Sequence, residues 1–135
     1  MKHQRNNKIR VATAVVAALM AALLAACGAS SKPSYRQITA DEAARMMQEE
    51  TDFVLLDVRT QEEYASGHIP GAICIPNETI GSEEIPELPE KDQLILVYCR
   101  SGNRSKQASQ KLAEQDYTNV VEFGGINGWT GNLEK

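Results

Sequence analysis

Cations are scarce in this chain of 135 residues: 14 Lys and Arg stand against 18 Asp and Glu. Four of those cations, Lys2, Arg5, Lys8 and Arg10, lie in the first ten residues, and the first 26 hold no acid. From residue 27 onward ten basic residues therefore face eighteen acidic ones, a net charge of −8, and nucleic acid is not an expected partner. Long hydrophobic runs are also missing, with one exception. Val11 to Ala26 is apolar apart from Thr13. As a helix it would reach about 24 Å, short of the roughly 30 Å hydrocarbon core, so it reads as the apolar region of a signal sequence rather than a permanent span. No internal repeat or low-complexity tract follows it. What remains is enough for one modest core.

The apolar run ends in "LLAAC", Leu23 to Cys27. Leu24, Ala25, Ala26 and Cys27 resemble the lipobox of bacterial lipoproteins, in which the cysteine receives a lipid and becomes the mature N-terminus. The resemblance implies a signal peptide over residues 1–26, a lipidated N-terminus and tether over 27–34, and a working domain over 35–135. That domain would be extracytoplasmic, held to a membrane through lipid on Cys27. The small, polar, proline-bearing stretch "GASSKPS" suits the tether. Two cysteines are then left, Cys74 and Cys99, as either one disulfide or two free thiols.

Beyond the tether, strands alternate with helices. Thr39 with Glu42 and Thr60 with Glu63 each have capping-box spacing, predicting one helix to about Glu49 and a short one stopped by Gly67. Ala43, Met46 and Met47 form the apolar side of the first, and those methionines read as core filler, not a metal box. "FVLLDV" (Phe53 to Val58) and "LILVY" (Leu94 to Tyr98) are short continuous apolar runs, as in strands buried on both faces. Ala72 to Ile75 and "NVVEF" give two more strands. Asn77 to Asp92 is acidic and proline-bearing, hence a loop with at most a helical turn. Ser105 to about Gln115 is helical, with Ala108 and Leu112 on one face. This alternation predicts an α/β domain with a parallel sheet.

One stretch is poorly explained by packing. "LVYCRSGNRSKQ", Leu96 to Gln107, runs from buried-looking residues into a cysteine beside Arg100, Arg104 and Lys106. At the carboxyl end of a parallel strand, before a helix, Ser101, Gly102, Asn103 and Ser105 can turn their N–H groups inward as an anion-binding nest. Such a nest stabilises a thiolate, and the thiolate is the nucleophile.

Four segments, "LLDVR" (Leu55 to Arg59), "EEYASGHIPGA" (Glu62 to Ala72), "VYCRSGNRS" (Val97 to Ser105) and "GGINGW" (Gly124 to Trp129), resemble the rhodanese family of sulfurtransferases in order and spacing. The resemblance implies a doubly wound parallel sheet of about five strands flanked by helices. It also implies a catalytic Cys99 that carries sulfur as a persulfide from a small anionic donor such as thiosulfate to cyanide or a thiol. No metal and no organic cofactor would be needed, and a monomer is expected. Arg104 matches the position that contacts the anionic donor, with Arg100 a second candidate for that task and Ser101, Gly102, Asn103 and Ser105 lining the substrate loop. Asp57 and Arg59 are implied to brace the loop, and His68 to fix a turn. The family's strand order keeps Cys74 two strands from Cys99, about 9.5 Å at the usual spacing, so Cys74 is expected as a buried free thiol.

Two other functions share these features. Dual-specificity phosphatases and arsenate reductases place five residues between cysteine and arginine, where this chain places four. A rhodanese-like module that binds a partner without turnover is the non-enzymatic reading.

Overall fold

The structure is a computed structural model that describes residues 31–135. Cys27 and the signal-like segment lie outside the described residues. The apolar runs form the centre of a sheet because each strand is covered on both sides. Its strands are β1 (Arg36–Gln37), β2 (Phe53–Asp57), β3 (Ile73–Cys74), β4 (Leu94–Cys99) and β5 (Val120–Gly125). All pair in parallel, in the order β1-β5-β4-β2-β3. The helices are α1 (Ala40–Glu49), α2 (Gln61–Ser66) and α3 (Asn103–Glu114). Among the described residues no helix is long and apolar enough to cross a membrane.

Strand periodicity divides the core in two. Ile95, Val97 and Cys99, with Leu56, Val58 and Val120, face Ala108 and Leu112 of α3. Leu96 and Tyr98, with Leu55, Val121 and Phe123, face Ala43, Met46 and Met47 of α1. This is the doubly wound α/β arrangement expected from the sequence.

Local chemistry sets the boundaries. Thr39 and Thr60 each accept from the N–H three residues on, while Glu42 and Glu63 reach back to the cap N–H, completing both capping boxes. Each such cap is worth about 1 kcal/mol. The structure departs from the sequence expectation at several element ends and in one added strand. Helix α3 begins at Asn103 rather than Ser105, because Gly102 takes a left-handed φ of 108° and turns the chain directly from strand to helix. The third strand shrinks to Ile73–Cys74. Strand β1 was not foreseen: its two residues are exposed and too short to show periodicity, and they are fixed only by pairing with Val121 and Glu122.

The β4–β5 pairing holds one irregularity, beside the carboxyl end of β4. Val97 lies opposite Glu122 but Cys99 opposite Gly125, so β5 carries one extra residue there, a bulge with Gly124 at φ 86°.

Candidate active site

Cys99 is the last residue of β4 and its side chain points toward α3. The chain then reverses through Arg100, Ser101 and Gly102 into the first turn of α3. The Gly102 backbone N–H donates to Cys99 Sγ at 3.0 Å. Ser105 Oγ lies 3.4 Å from the sulfur. Burial pushes the Cys99 thiol up, but hydrogen bonding within the loop, including the backbone N–H groups of Ser105, Gly102 and Ser101, outweighs it and holds the thiol below its ordinary value. The nest expected from the residue pattern is therefore built from α3's uncapped N-terminus, since Gly102 supplies no side-chain cap.

Gly125 of β5 makes room for this loop. A Cβ on Gly125 would stand 2.0 Å from the Arg100 carbonyl oxygen, so only glycine lets the strand and loop backbones approach. The turn after β5 fastens the loop from outside, with Asn127 N–H donating to Arg100 O at 3.2 Å. Next to it opens a cleft of about 410 Å³ with Thr39, Asp41, Arg100, Ser101, Phe123 and Asn127 on its walls.

The remaining site candidates lie in different surroundings. Arg100, Ser101 and Asn103 are exposed, and Gly102 and Ser105 are buried. Arg104, expected to face the donor, gives its guanidinium to Glu63 of α2, in contacts of 2.7 and 3.0 Å. Glu63 is already aimed there by its capping box, and Arg104 holds its carboxyl down at about 2. Arg100 makes no ion pair among the described residues.

Asp57 and Arg59 form a buried pair, with Arg59 Nη2 2.7 Å from Asp57 Oδ2. The same guanidinium donates to Gly67 O at 2.8 Å and lies 5.8 Å from the centre of the Tyr98 ring. The Tyr98 hydroxyl accepts the Ile69 N–H at 3.1 Å. The pair thus has no hydrogen bond to the 100–105 loop. Its brace acts on the 67–69 turn and on Tyr98, immediately before Cys99. His68 belongs to that turn: its ring stacks on Tyr64 and Nδ1 lies 2.9 Å from Tyr64 O.

Cys74 and Cys99 are both free, on strands separated by β2. Cys74 is half-buried rather than buried. Burial and the Asp57 charge push its thiol up to about 11, leaving it a poor nucleophile. Among the described residues no His, Cys, Asp and Glu cluster is gathered to hold a metal ion.

Sequence reasoning missed Glu122, which is 2% exposed and bonds to Ser105 Oγ at 2.6 Å. Its signal was present: in "NVVEF" it occupies the face of β5 that Val120 buries.

Fold and site together define an α/β domain with a buried cysteine in an N–H nest at the carboxyl edge of a parallel sheet. Residues 39–132 match the rhodanese-like domain family, and the chain belongs to it. It is 38% identical over 71 residues to a thiosulfate sulfurtransferase of Escherichia coli, covering 53% of this chain and 68% of that protein. A sulfurtransferase of Allochromatium vinosum is 37% identical over 94 residues, covering 69% and 86%. Among solved structures, a rhodanese-like domain from Anabaena superposes with a TM-score of 0.66 at 30% identity, covering 75% of this chain and 80% of that one. A structure described as rhodanese with anions from Escherichia coli gives 0.56 at 34% identity, covering 61% and 96%.

Proposed function

We propose that this chain is a sulfurtransferase that moves a sulfane sulfur through a Cys99 persulfide. The observation that carries this reading is the Cys99 sulfur seated on the Gly102 N–H, with its thiol held below the ordinary value. The thiolate attacks the outer sulfur of a thiosulfate-type donor; a new S–S bond forms, the donor's S–S bond breaks, and its electron pair leaves with sulfite. The outer sulfur of the persulfide carries the negative charge to which nest N–H groups donate. Cyanide or a thiolate then attacks that sulfur and releases Cys99 as a thiolate. Arg100 is the cation already available to an anionic donor, and Arg104 becomes available by parting from Glu63. No cofactor takes part.

Mass spectrometry after thiosulfate treatment tests this. A gain of one sulfur mass is expected on the wild type and on Cys74→Ala, and none on Cys99→Ala. Absence of the adduct from the wild type would overturn the proposal.

We also propose that the domain works outside the cytoplasm on a lipid anchor at Cys27, supported by the basic residues, apolar run and "LLAAC" that precede the domain. Incorporation of labelled fatty acid that persists in Cys27→Ala would refute it.

A further inference from the structure

Glu122 is a carboxylate at a core position. Strand alternation places it, like Val120, toward α3, and burying such a group is costly unless it is paired or hydrogen-bonded. Among the described residues no cation forms an ion pair with it. Its Oε1 accepts two hydrogen bonds instead, from Gly124 N–H at 2.7 Å and from Ser105 Oγ at 2.6 Å.

The Ser105 hydroxyl has one proton and several neighbours able to accept it. Gly102 O lies at 3.0 Å and Gly124 O at 3.1 Å, while Cys99 Sγ is furthest at 3.4 Å. A charged acceptor at the shortest distance takes the proton, because charge-assisted hydrogen bonds are the shorter and stronger ones. Ser105 then turns a lone pair toward Cys99, and the thiol S–H donates into it. We propose that Glu122 is a positioning residue that acts through Ser105 to keep the proton on Cys99. While Glu122 is ionised, the Ser105 hydroxyl is withheld from the thiolate. When that charge is removed, the hydroxyl turns to the sulfur and joins the N–H groups.

Charge works in the same direction. The two contacts through Ser105 place the carboxylate oxygen within about 6 Å of the sulfur, where like charge disfavours the thiolate. The groups opposing it are the nest N–H groups and Arg104 of α3, which has Glu63 of α2 and Glu78 in its own field. Tyr35, ahead of β1, also feels the Glu122 charge. Glu122 thus sets how much of the nest's stabilisation the resting nucleophile receives. The proposal rests on Cys99 being the sulfur-transfer nucleophile, but its test needs no sulfur transfer.

The experiment is the pH dependence of Cys99 alkylation by iodoacetamide in the full chain, with adducts counted on the Cys99 peptide by mass spectrometry. In Glu122→Gln the midpoint is expected to fall by about one pH unit or more. In Ser105→Ala it stays within about half a pH unit of the wild type, because the lost hydroxyl was not donating to sulfur. Adding Ser105→Ala to Glu122→Gln raises the midpoint again. A Glu122→Gln midpoint at or above the wild type overturns the proposal. So does a Ser105→Ala midpoint raised by about a pH unit or more, a result that stands even where Glu122→Gln fails to fold. Shifted midpoints without a persulfide on Cys99 would uphold this proposal and remove the sulfurtransferase reading; a persulfide with an unshifted Glu122→Gln midpoint would do the reverse.

Discussion

Gly125→Ala is the sharpest test of how the site is held. The added methyl would stand 2.0 Å from Arg100 O, 2.3 Å from Arg100 C and 2.5 Å from Ser101 N, all backbone atoms. No side-chain rotation relieves such contacts. Restoring ordinary separation requires strand and loop to part by about 1 Å or more, and overpacking of this kind costs about 1–3 kcal/mol. Because Gly102 N–H donates to Cys99 at 3.0 Å, the same displacement breaks one of the contacts that hold the thiol below its ordinary value. Persulfide formation should fall about 100-fold or more, as for a misplacement of this size in other catalytic sites. The Cys99 alkylation midpoint should rise toward that of an ordinary thiol. Gly124→Ala is the control, since a Cβ there meets nothing within 4 Å but must adopt φ 86°. It should cost about 1 kcal/mol of stability, with a far smaller loss of transfer. Persulfide yield from thiosulfate, the alkylation profile and a thermal melt read all three effects. Wild-type transfer and an unmoved midpoint in Gly125→Ala would refute the argument that backbone approach builds the nest.

Removing Arg59 as Arg59→Ala strands the Asp57 charge, which is 0% exposed, and should cost about 3–5 kcal/mol, lowering the melting midpoint by about 15 °C or more in calorimetry. Cys74→Ala should leave persulfide yield unchanged, and iodoacetamide at neutral pH should label Cys99 well ahead of Cys74, as peptide mass spectrometry would show. Glu63 has its carboxyl lowered from 4.5 to about 2 by Arg104, so its contribution is present above pH 4.5 and is lost as pH falls through that window. The pair is partly solvent-exposed, so denaturant melts at neutral pH and at about pH 3 should show a loss of no more than about 1 kcal/mol that Glu63→Gln does not show.

The fold was legible because its central strands are apolar on both faces and its first two helices announce themselves by capping boxes. Both signals are local: Leu94–Cys99 needs covering whatever its neighbours, and Thr60 can bond only to groups three residues on. Strand β1 lay beyond such reasoning because Arg36 and Gln37 are strand only by virtue of β5. The start of α3 was misplaced for a related reason. Gly102 reads as loop in sequence, yet its left-handed φ is what lets the helix begin at the next residue.

The site divides along the same line. Cys99, Gly102 and Ser105 lie within seven residues, so the nest was implied by one stretch of chain. The partners that tune it come from elsewhere: Glu63 lies 41 residues from Arg104 and Glu122 lies 17 from Ser105. Each reverses a simple reading of charge. Arg104 looks like a free cation until Glu63 pairs with it, and the loop looks purely favourable to a thiolate until the Ser105 hydroxyl is found 2.6 Å from the Glu122 carboxylate. A cationic motif therefore points to the kind of nucleophile proposed above, whereas the carboxylates that contact its residues come from other elements. Glu63→Gln frees Arg104 for the donor and should lower the KM for thiosulfate in steady-state assays, with the alkylation midpoint of Cys99 moving little. A KM that rises or stays constant would mean that Arg104 serves the scaffold alone, as the link between α2 and α3.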